Sequence, residues 1–168
     1  MNTFKTAAAR ITHWCAVGFG SGLSPWMPGT IGSIVGLFIA VSLNHLLTLH
    51  AIAISIAIAL AFSFAGIAIC NHAEKKLAGD HPSIVWDEIS GMYIAMIGLP
   101  LTWKWYLAGF LLFRLLDILK PFPIGWLDQN LKGGLGIMCD DLFAGLCVCL
   151  ILNGVNFWTK TSHFLNFF

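Results

Sequence analysis

The chain has 168 residues and a formal net charge of +1, and only 10% of its residues are charged, against about 25% in soluble domains. Hydrophobic residues make up 58% and the mean hydropathy is +0.81. This composition excludes an ordinary soluble domain. The near-neutral charge and the lack of a basic arm or nucleic-acid motif exclude nucleic acid as a partner, and no feature implies a protein partner. The prediction is one membrane-embedded domain covering residues 1–168.

Five apolar segments follow a short amphipathic start. Residues 4–14 carry Lys5, Arg10 and Trp14 and predict a short interfacial helix. The stretch at 51–70 contains no charge, Asn, Gln or His, and it can cross about 30 Å of hydrocarbon as a helix. The apolar segments are residues 34–47, 51–70, 86–99, 103–119 and 137–158. We therefore predict an all-α, multi-pass membrane bundle with four to five hydrophobic helices, in which the short segment 86–99 is tilted or re-entrant.

The basic residues orient this bundle in the membrane. If the N-terminus is cytoplasmic and the five segments alternate, seven basic residues fall inside and two outside, as the positive-inside rule requires. The seven are Lys5, Arg10, Lys75, Lys76, Arg114, Lys120 and Lys132, and the two are Lys104 and Lys160. The same arrangement puts every acidic residue on the cytoplasmic side.

A Gly/Pro-rich loop at residues 18–33 leads into the first apolar helix. Thr30 is a predicted N-cap of that helix and Ser33 lies at its third position, and both hydroxyls can donate hydrogen bonds. Free backbone N–H groups beside Gly29 and Gly32 suit a phosphate. Thr30 and Ser33 are therefore candidates for binding a substrate phosphate, although such loops are common before helices.

Five of the eight acidic residues form three clusters with apolar flanks: Asp87 with Glu88, Asp117 alone, and Asp140 with Asp141. Each pair is predicted to open an apolar helix, where the macrodipole favours the ionised form. Gly91 follows one turn after Asp87, and Ala144 and Gly145 follow one turn after Asp140 and Asp141, which predicts close helix packing. Carboxylates in apolar surroundings are costly unless they are paired or bind a cation, and hard oxygen ligands favour Mg²⁺ or Mn²⁺. All five are candidate metal ligands and catalytic residues, with helix capping as the alternative for either pair.

Arg114, Asp117 and Lys120 are spaced by three and predict a ridge along one helix. The ridge is either a self-neutralising ion ladder or a functional group, in which Asp117 reaches the metal while Arg114 or Lys120 binds a phosphate. Lys120 directly precedes Pro121, where the helix is predicted to end, so its ammonium can point at a lipid headgroup.

Among the histidines, His81 is the one candidate for an auxiliary base or ligand, because it lies six residues before Asp87. His45 and His50 fall in the predicted outer turn and His163 in the tail, away from the acidic clusters.

Four motifs together resemble those of phosphatidylglycerophosphatase A, a bacterial inner-membrane, Mg²⁺-dependent lipid phosphatase family. They are PWMPGTIGS at 25–33, VWDEISG at 85–91, FRLLDILKPFPI at 113–124 and GLGIMCDDLFAG at 134–145. The motifs occur in the family's order, cover nearly the whole chain and show no departure at an acidic position.

The resemblance implies hydrolysis of phosphatidylglycerophosphate to phosphatidylglycerol and phosphate, by one phosphatase domain in the bacterial inner membrane. The lipid substrate and the bilayer are the implied partners, Mg²⁺ is the implied cofactor and the site faces the cytoplasm. Direct attack by a metal-activated water is the preferred mechanism. A phospho-aspartate intermediate on Asp140 or Asp141 remains open.

Two other classes compete with this prediction. An ion- or proton-coupled transporter also uses acids within a membrane, and the two pair-bearing helices hint at a repeat. A purely structural subunit would leave the clustered acids unexplained. Release of phosphate from a lipid phosphomonoester by the purified protein separates the enzyme from both.

Overall fold

A computed structural model describes the chain at residues 2–46, 51–77, 79 and 81–165. Every regular element in these ranges is helical, which confirms the predicted all-α class. A 3₁₀ helix, Gly18–Leu23, connects the first two α-helices. The α-helices are α1 (Asn2–Ala16), α2 (Pro28–Leu46), α3 (Ala51–Leu77), α4 (Trp86–Ala95), α5 (Trp103–Leu119), α6 (Ile124–Asn130) and α7 (Gly133–Leu165).

Three of the described helices are long and apolar enough to cross a membrane. They are α2 (Pro28–Leu46), most of α3 (Ile52–Leu77) and most of α7 (Gly133–Thr161), with mean hydropathies of 1.5, 2.5 and 2.1. The predicted count of four to five is not confirmed. Helix α4 covers only about 15 Å at 1.5 Å per residue, which is too short for a crossing.

Helix α4 ends four residues before the predicted end at residue 99. Its C-cap is Met96, and Gly98 then takes a left-handed φ of 77° that turns the chain. The side-chain amide of Asn153 on α7 donates to the carbonyl of Ile97 at 2.9 Å. If α4 continued, this carbonyl would accept a hydrogen bond within the helix; here α7 supplies the donor instead. The local sequence of α4 does not reveal that donor.

Two predicted helix starts are each wrong by about one turn. Helix α2 begins at Pro28, and the carbonyl of Met27 accepts from the N–H of Ile31, so Thr30 is inside the first turn and is not the N-cap. Proline is favoured at the first helical position because its missing N–H would be unbonded there. Helix α7 begins at Gly133, in the segment predicted as a loop, so Asp140 and Asp141 do not open it. The macrodipole argument therefore applies to the α4 pair alone.

Helix α4 is the centre of the bundle. Seven of its ten residues are buried, and it packs against α2, α3, α5 and α7. The largest apolar core gathers Met92, Tyr93 and Met96 around Phe113 of α5 and Val148 of α7. A helix that is apolar on nearly all sides lies inside a bundle, so α4 is held by its neighbours on every side.

The small residues predicted to allow close packing lie where α4 crosses α7. A Cβ atom at Gly145 would collide with the backbone carbonyl of Gly91, and one at Gly91 would collide with the carbonyl of Asp141. The two backbones are therefore in direct contact, as the glycines one turn after each acidic pair predicted. This crossing fixes how α4 and α7 are placed relative to each other.

We predict that Gly145→Ala lowers the stability of the protein by about 1–3 kcal/mol, because the added methyl group must push two backbones apart. Gly154→Ala is the matched control on the same helix, since a Cβ there meets nothing within 4 Å. Thermal unfolding in detergent should show a lower Tm for the first variant and an unchanged or slightly raised Tm for the second. Equal Tm values would contradict the crossing.

Candidate functional site

A cavity of about 630 Å³ opens at one end of the bundle. The starts of α2, α4 and α7 and the ends of α3 and α5 all contribute to its wall. Nine of the ten predicted site residues line it, and the tenth, Ser33, lies behind the wall in contact with Arg114. The nine are Thr30, His81, Asp87, Glu88, Arg114, Asp117, Lys120, Asp140 and Asp141.

Three carboxylates meet in the wall of this cavity. Asp87, Glu88 and Asp141 each offer an oxygen, and these oxygens lie within 4.8 Å of one another. The helix crossing explains the geometry, because Asp87 precedes Gly91 by four residues on α4 and Asp141 precedes Gly145 by four on α7. Each carboxylate therefore sits one turn from the point where the two backbones touch.

The donor set of this cluster fits a hard divalent cation. Asp87 Oδ1, Glu88 Oε2 and Asp141 Oδ1 are buried and have no hydrogen-bond partner. Unpartnered buried carboxylate oxygens are costly, and an ion such as Mg²⁺ is the ligand that would satisfy several at once. The same cost is visible at Asp87, on helix α4, which is not one of the candidate spans. Burial raises the pKa of Asp87 above its ordinary value, and the charge of Glu88 adds to the effect.

A second group of side chains surrounds Arg114. Its Nη1 donates to Asp117 and, at 3.2 Å, to the hydroxyl of Ser33, which in turn donates to the carbonyl of Gly29 at 2.8 Å. A Cβ at Gly29 would collide with the carboxylate of Glu88, so this glycine lets α2 approach the acidic cluster. Arg114 thus connects α5 to α2 beside the three carboxylates.

Lys120 lies in a left-handed conformation directly after α5, with φ 42°. Its Nζ donates to Asp128 Oδ1 at 2.6 Å and to Asp140 Oδ2 at 2.7 Å. Partial burial lowers the pKa of Lys120, but the two carboxylates outweigh that effect and raise it above its ordinary value. The lysine therefore stays protonated. The predicted ion ladder is half correct, because Asp117 pairs with Arg114 while Lys120 pairs with residues outside the ridge.

His81 is exposed and its ring is oriented by Ser83. The backbone N–H of Ser83 donates to His81 Nδ1 at 3.2 Å, and the Ser83 hydroxyl lies 2.8 Å from the same nitrogen. Because Nδ1 accepts, the neutral ring carries its proton on Nε2. In this tautomer Nε2 is a hydrogen-bond donor, which is unfavourable for the predicted roles of base or metal ligand.

Three charged residues of the cavity wall were missed from the sequence: Glu74, Asp128 and Lys132. Glu74 stands beside Lys75 and Lys76 at the end of α3, which is typical of a solvated helix end. Asp128 lies on α6, a seven-residue helix that the sequence analysis did not predict. Only the turn after α5 brings Asp128 back to Lys120, eight residues earlier, so spacing alone gave no signal.

The fold and the site define a class: an all-helical membrane protein whose buried carboxylates and arginine are suited to phosphate-ester chemistry. The comparisons with known proteins identify the family. Residues 14–156 match the family model described as "PgpA: Phosphatidylglycerophosphatase A", and the chain belongs to that family.

Similar proteins carry related names. The chain is 44% identical over 142 residues to phosphatidylglycerophosphatase A of Escherichia coli K12, which covers 83% of this chain and 80% of the relative. It is 41% identical over 148 residues to the Haemophilus influenzae protein of the same name, and the match covers 87% of this chain and 89% of the relative. It is also 39% identical over 133 residues to a Bacteroides thetaiotaomicron protein named putative phosphatidylinositol-3-phosphatase. That match covers 77% of this chain and 83% of the relative. No solved structure matches the chain.

Proposed function

We propose that this protein hydrolyses the terminal phosphomonoester of phosphatidylglycerophosphate, with Mg²⁺, at the cytoplasmic face of the bacterial inner membrane. The observation that carries the proposal is the cluster of three carboxylates with unpartnered buried oxygens, in the same cavity as Arg114. Membership of the family and the names of the Escherichia and Haemophilus relatives support the reaction and the lipid substrate.

Asp87, Glu88 and Asp141 are the residues that would hold Mg²⁺. When bound, the ion supplies positive charge for the phosphoryl oxygens and lowers the pKa of a water molecule. Asp117 and Asp140 were predicted as ligands too, but each is engaged by a cation of the chain, Arg114 and Lys120 respectively. We therefore propose that Asp117 acts through Arg114, and that Lys120 holds Asp140 by one oxygen, Oδ2.

Arg114, Thr30 and Lys120 would bind the phosphate. Arg114 Nε and Thr30 Oγ1 are buried polar atoms without a partner, so both have a donor left for a phosphate oxygen. Lys120 adds a protonated amine on the wall of the same cavity, and Ser33 holds Arg114 from behind. Phosphoryl transfer depends mainly on such positioning and charge stabilisation.

Asp140 is proposed to accept the proton of the attacking water. Lys120 holds its Oδ2, while its Oδ1 is buried without a partner and is free to accept. Breaking the phosphorus–oxygen bond leaves an alkoxide on the glycerol headgroup, which takes a proton from solvent water to give phosphatidylglycerol, while Asp140 returns its own proton to the solvent. With its N–H on Nε2, His81 is suited to a hydrogen bond to the phosphate, and we retain it as an auxiliary residue.

The competing transporter function has less support. A carrier needs polar groups along a path through the membrane. The acids in the described part of the chain instead gather at one end of the bundle, and neither α3 before Glu74 nor α7 after Asp141 contains another acidic residue.

Removing metal is the first test. EDTA should abolish phosphate release from phosphatidylglycerophosphate in detergent micelles, and Mg²⁺ should restore it, because three carboxylates without a cation repel both one another and the substrate. Phosphate can be measured colorimetrically, with a phosphatidylinositol phosphate as a second substrate to test headgroup choice. Full turnover by metal-stripped protein would contradict the metal site.

Carboxamide substitutions should separate the two kinds of acid. We expect Asp87→Asn, Glu88→Gln and Asp141→Asn to lower kcat by about 10²-fold or more and to raise the Mg²⁺ concentration needed for half activity. Asp117→Asn and Asp140→Asn should lower kcat with a smaller change in the Mg²⁺ requirement. The control is His45→Ala, an exposed residue at the far end of α2, which should leave activity unchanged. Normal turnover in all five acid variants would place the site elsewhere.

The cytoplasmic orientation is supported by the basic residues. Lys75, Lys76, Arg114, Lys120 and Lys132 lie at the end of the bundle that holds the cavity, while Lys104 and Lys160 lie at the other end. The side chain of Lys5 is outside the described part of the chain. The five residues at the cavity end and the two at the other end follow the positive-inside rule.

Cysteine labelling tests that orientation. In an active variant without native cysteines, Lys132→Cys should resist an impermeant thiol reagent in intact cells and react once the inner membrane is opened. Lys160→Cys should react as soon as the outer membrane alone is permeabilised. Labelling of position 132 from outside would contradict the proposed orientation.

A further inference from the structure

Two large apolar side chains belong both to the wall of the cavity and to the outer surface of the bundle. Met27, just before α2, is 64% exposed, and Ile118, in the last turn of α5, is 63% exposed. Around them the cavity wall is mainly charged and polar. We refer to Met27 and Ile118 as the cavity lip.

The lip continues two apolar stripes on the outside of the bundle. On α5, Leu107, Leu111 and Leu115 are exposed, and their spacing of four puts them on the same face as Ile118. On α2, Ile34 and Phe38 are exposed and follow Met27 at helical spacing. Helices α2 and α5 pack against each other, so both stripes lead to the same opening.

Met27 has a strained backbone conformation. Its φ of 48° is a left-handed conformation that side chains other than glycine rarely adopt. The loop before it is tied by Ser24, whose hydroxyl donates to the carbonyl of Trp26 at 2.9 Å. Helix α2 then begins directly at Pro28, and the carbonyl of Met27 accepts the first backbone hydrogen bond of that helix. A strained residue held from both sides often lies at a functional site.

We propose that Met27 and Ile118 form a lateral portal through which a membrane phospholipid monoester enters the cavity. The acyl chains stay in the bilayer against the stripes of α2 and α5, while the phosphate passes between the lip residues to Thr30 and Arg114. Only the headgroup of the lipid therefore has to leave the membrane. This inference rests on the proposed function and adds the residues that recognise the lipid body of the substrate.

Kinetics in mixed micelles test the portal. Ile118→Asn and Met27→Gln should raise the KM, expressed as the mole fraction of dioleoyl phosphatidylglycerophosphate, by about fivefold or more, with a smaller change in kcat. Ile118→Leu should restore the wild-type KM. The matched control is Leu101→Asn, an exposed apolar residue before α5 at the opposite end of that helix, which should change neither constant. An unchanged KM in both lip variants would overturn the portal.

A binding measurement keeps the test independent of turnover and of the folding of the polar variants. A bimane fluorophore on Ile118→Cys, in the variant without native cysteines, should be quenched more strongly by nitroxide-labelled phosphatidic acid than by nitroxide-labelled phosphatidylcholine. The same label on Leu101→Cys should not distinguish the two lipids. Equal quenching at position 118, in a protein that still releases phosphate, would overturn the portal and leave the proposed function standing. Failure of the wild-type protein to hydrolyse any lipid monoester would instead refute the proposed function.

Discussion

Confining three carboxylates within 4.8 Å is the constraint on which the rest of the structure depends. Two ionised carboxylates at that separation repel by about 3 kcal/mol even at an effective dielectric constant of about 20. The contact between the backbones at Gly91 and Gly145 holds Asp87 and Asp141 together in spite of this repulsion. Helix α4 is held from four sides, so it cannot move away from α7 to relieve the repulsion. The fold supplies the confinement, and a bound cation would compensate for it.

The positive charges of the cavity offset this cluster only in part, because each of them is also paired with another acid. Arg114 is paired with Asp117, and Lys120 is shared by Asp128 and Asp140. The acids of the cavity thus divide into those with a partner in the chain and those without one. The Arg114–Asp117 pair follows from its spacing of three, but the pairing of Lys120 with Asp128 and Asp140 could not be read from the sequence. The first contact depends on the turn after α5, which returns α6 to Lys120, and the second on the packing of α7 beside the end of α5.

Some features could be predicted because they depend on local composition. The bounds of α5 and the glycines one turn after the acidic pairs follow from apolar periodicity and residue size. The end of α4 and the start of α7 could not be predicted in the same way. The first is fixed by Asn153, which is more than fifty residues away in sequence, and the second lies in a glycine-rich stretch that is typical of a loop. Nine of the ten predicted site residues share one cavity, but their pairing is a tertiary property.

The position of Asp141 on α7 has a consequence for biosynthesis. Helix α7 is the last described helix to leave the ribosome, and it contributes both a carboxylate and the glycine that docks α4. Until α7 is inserted, Asp87 and Glu88 lie on a ten-residue helix that lacks its main packing partner. The site is therefore completed only once α7 has been made, so a chain released before α7 has neither the cluster nor the crossing that positions it.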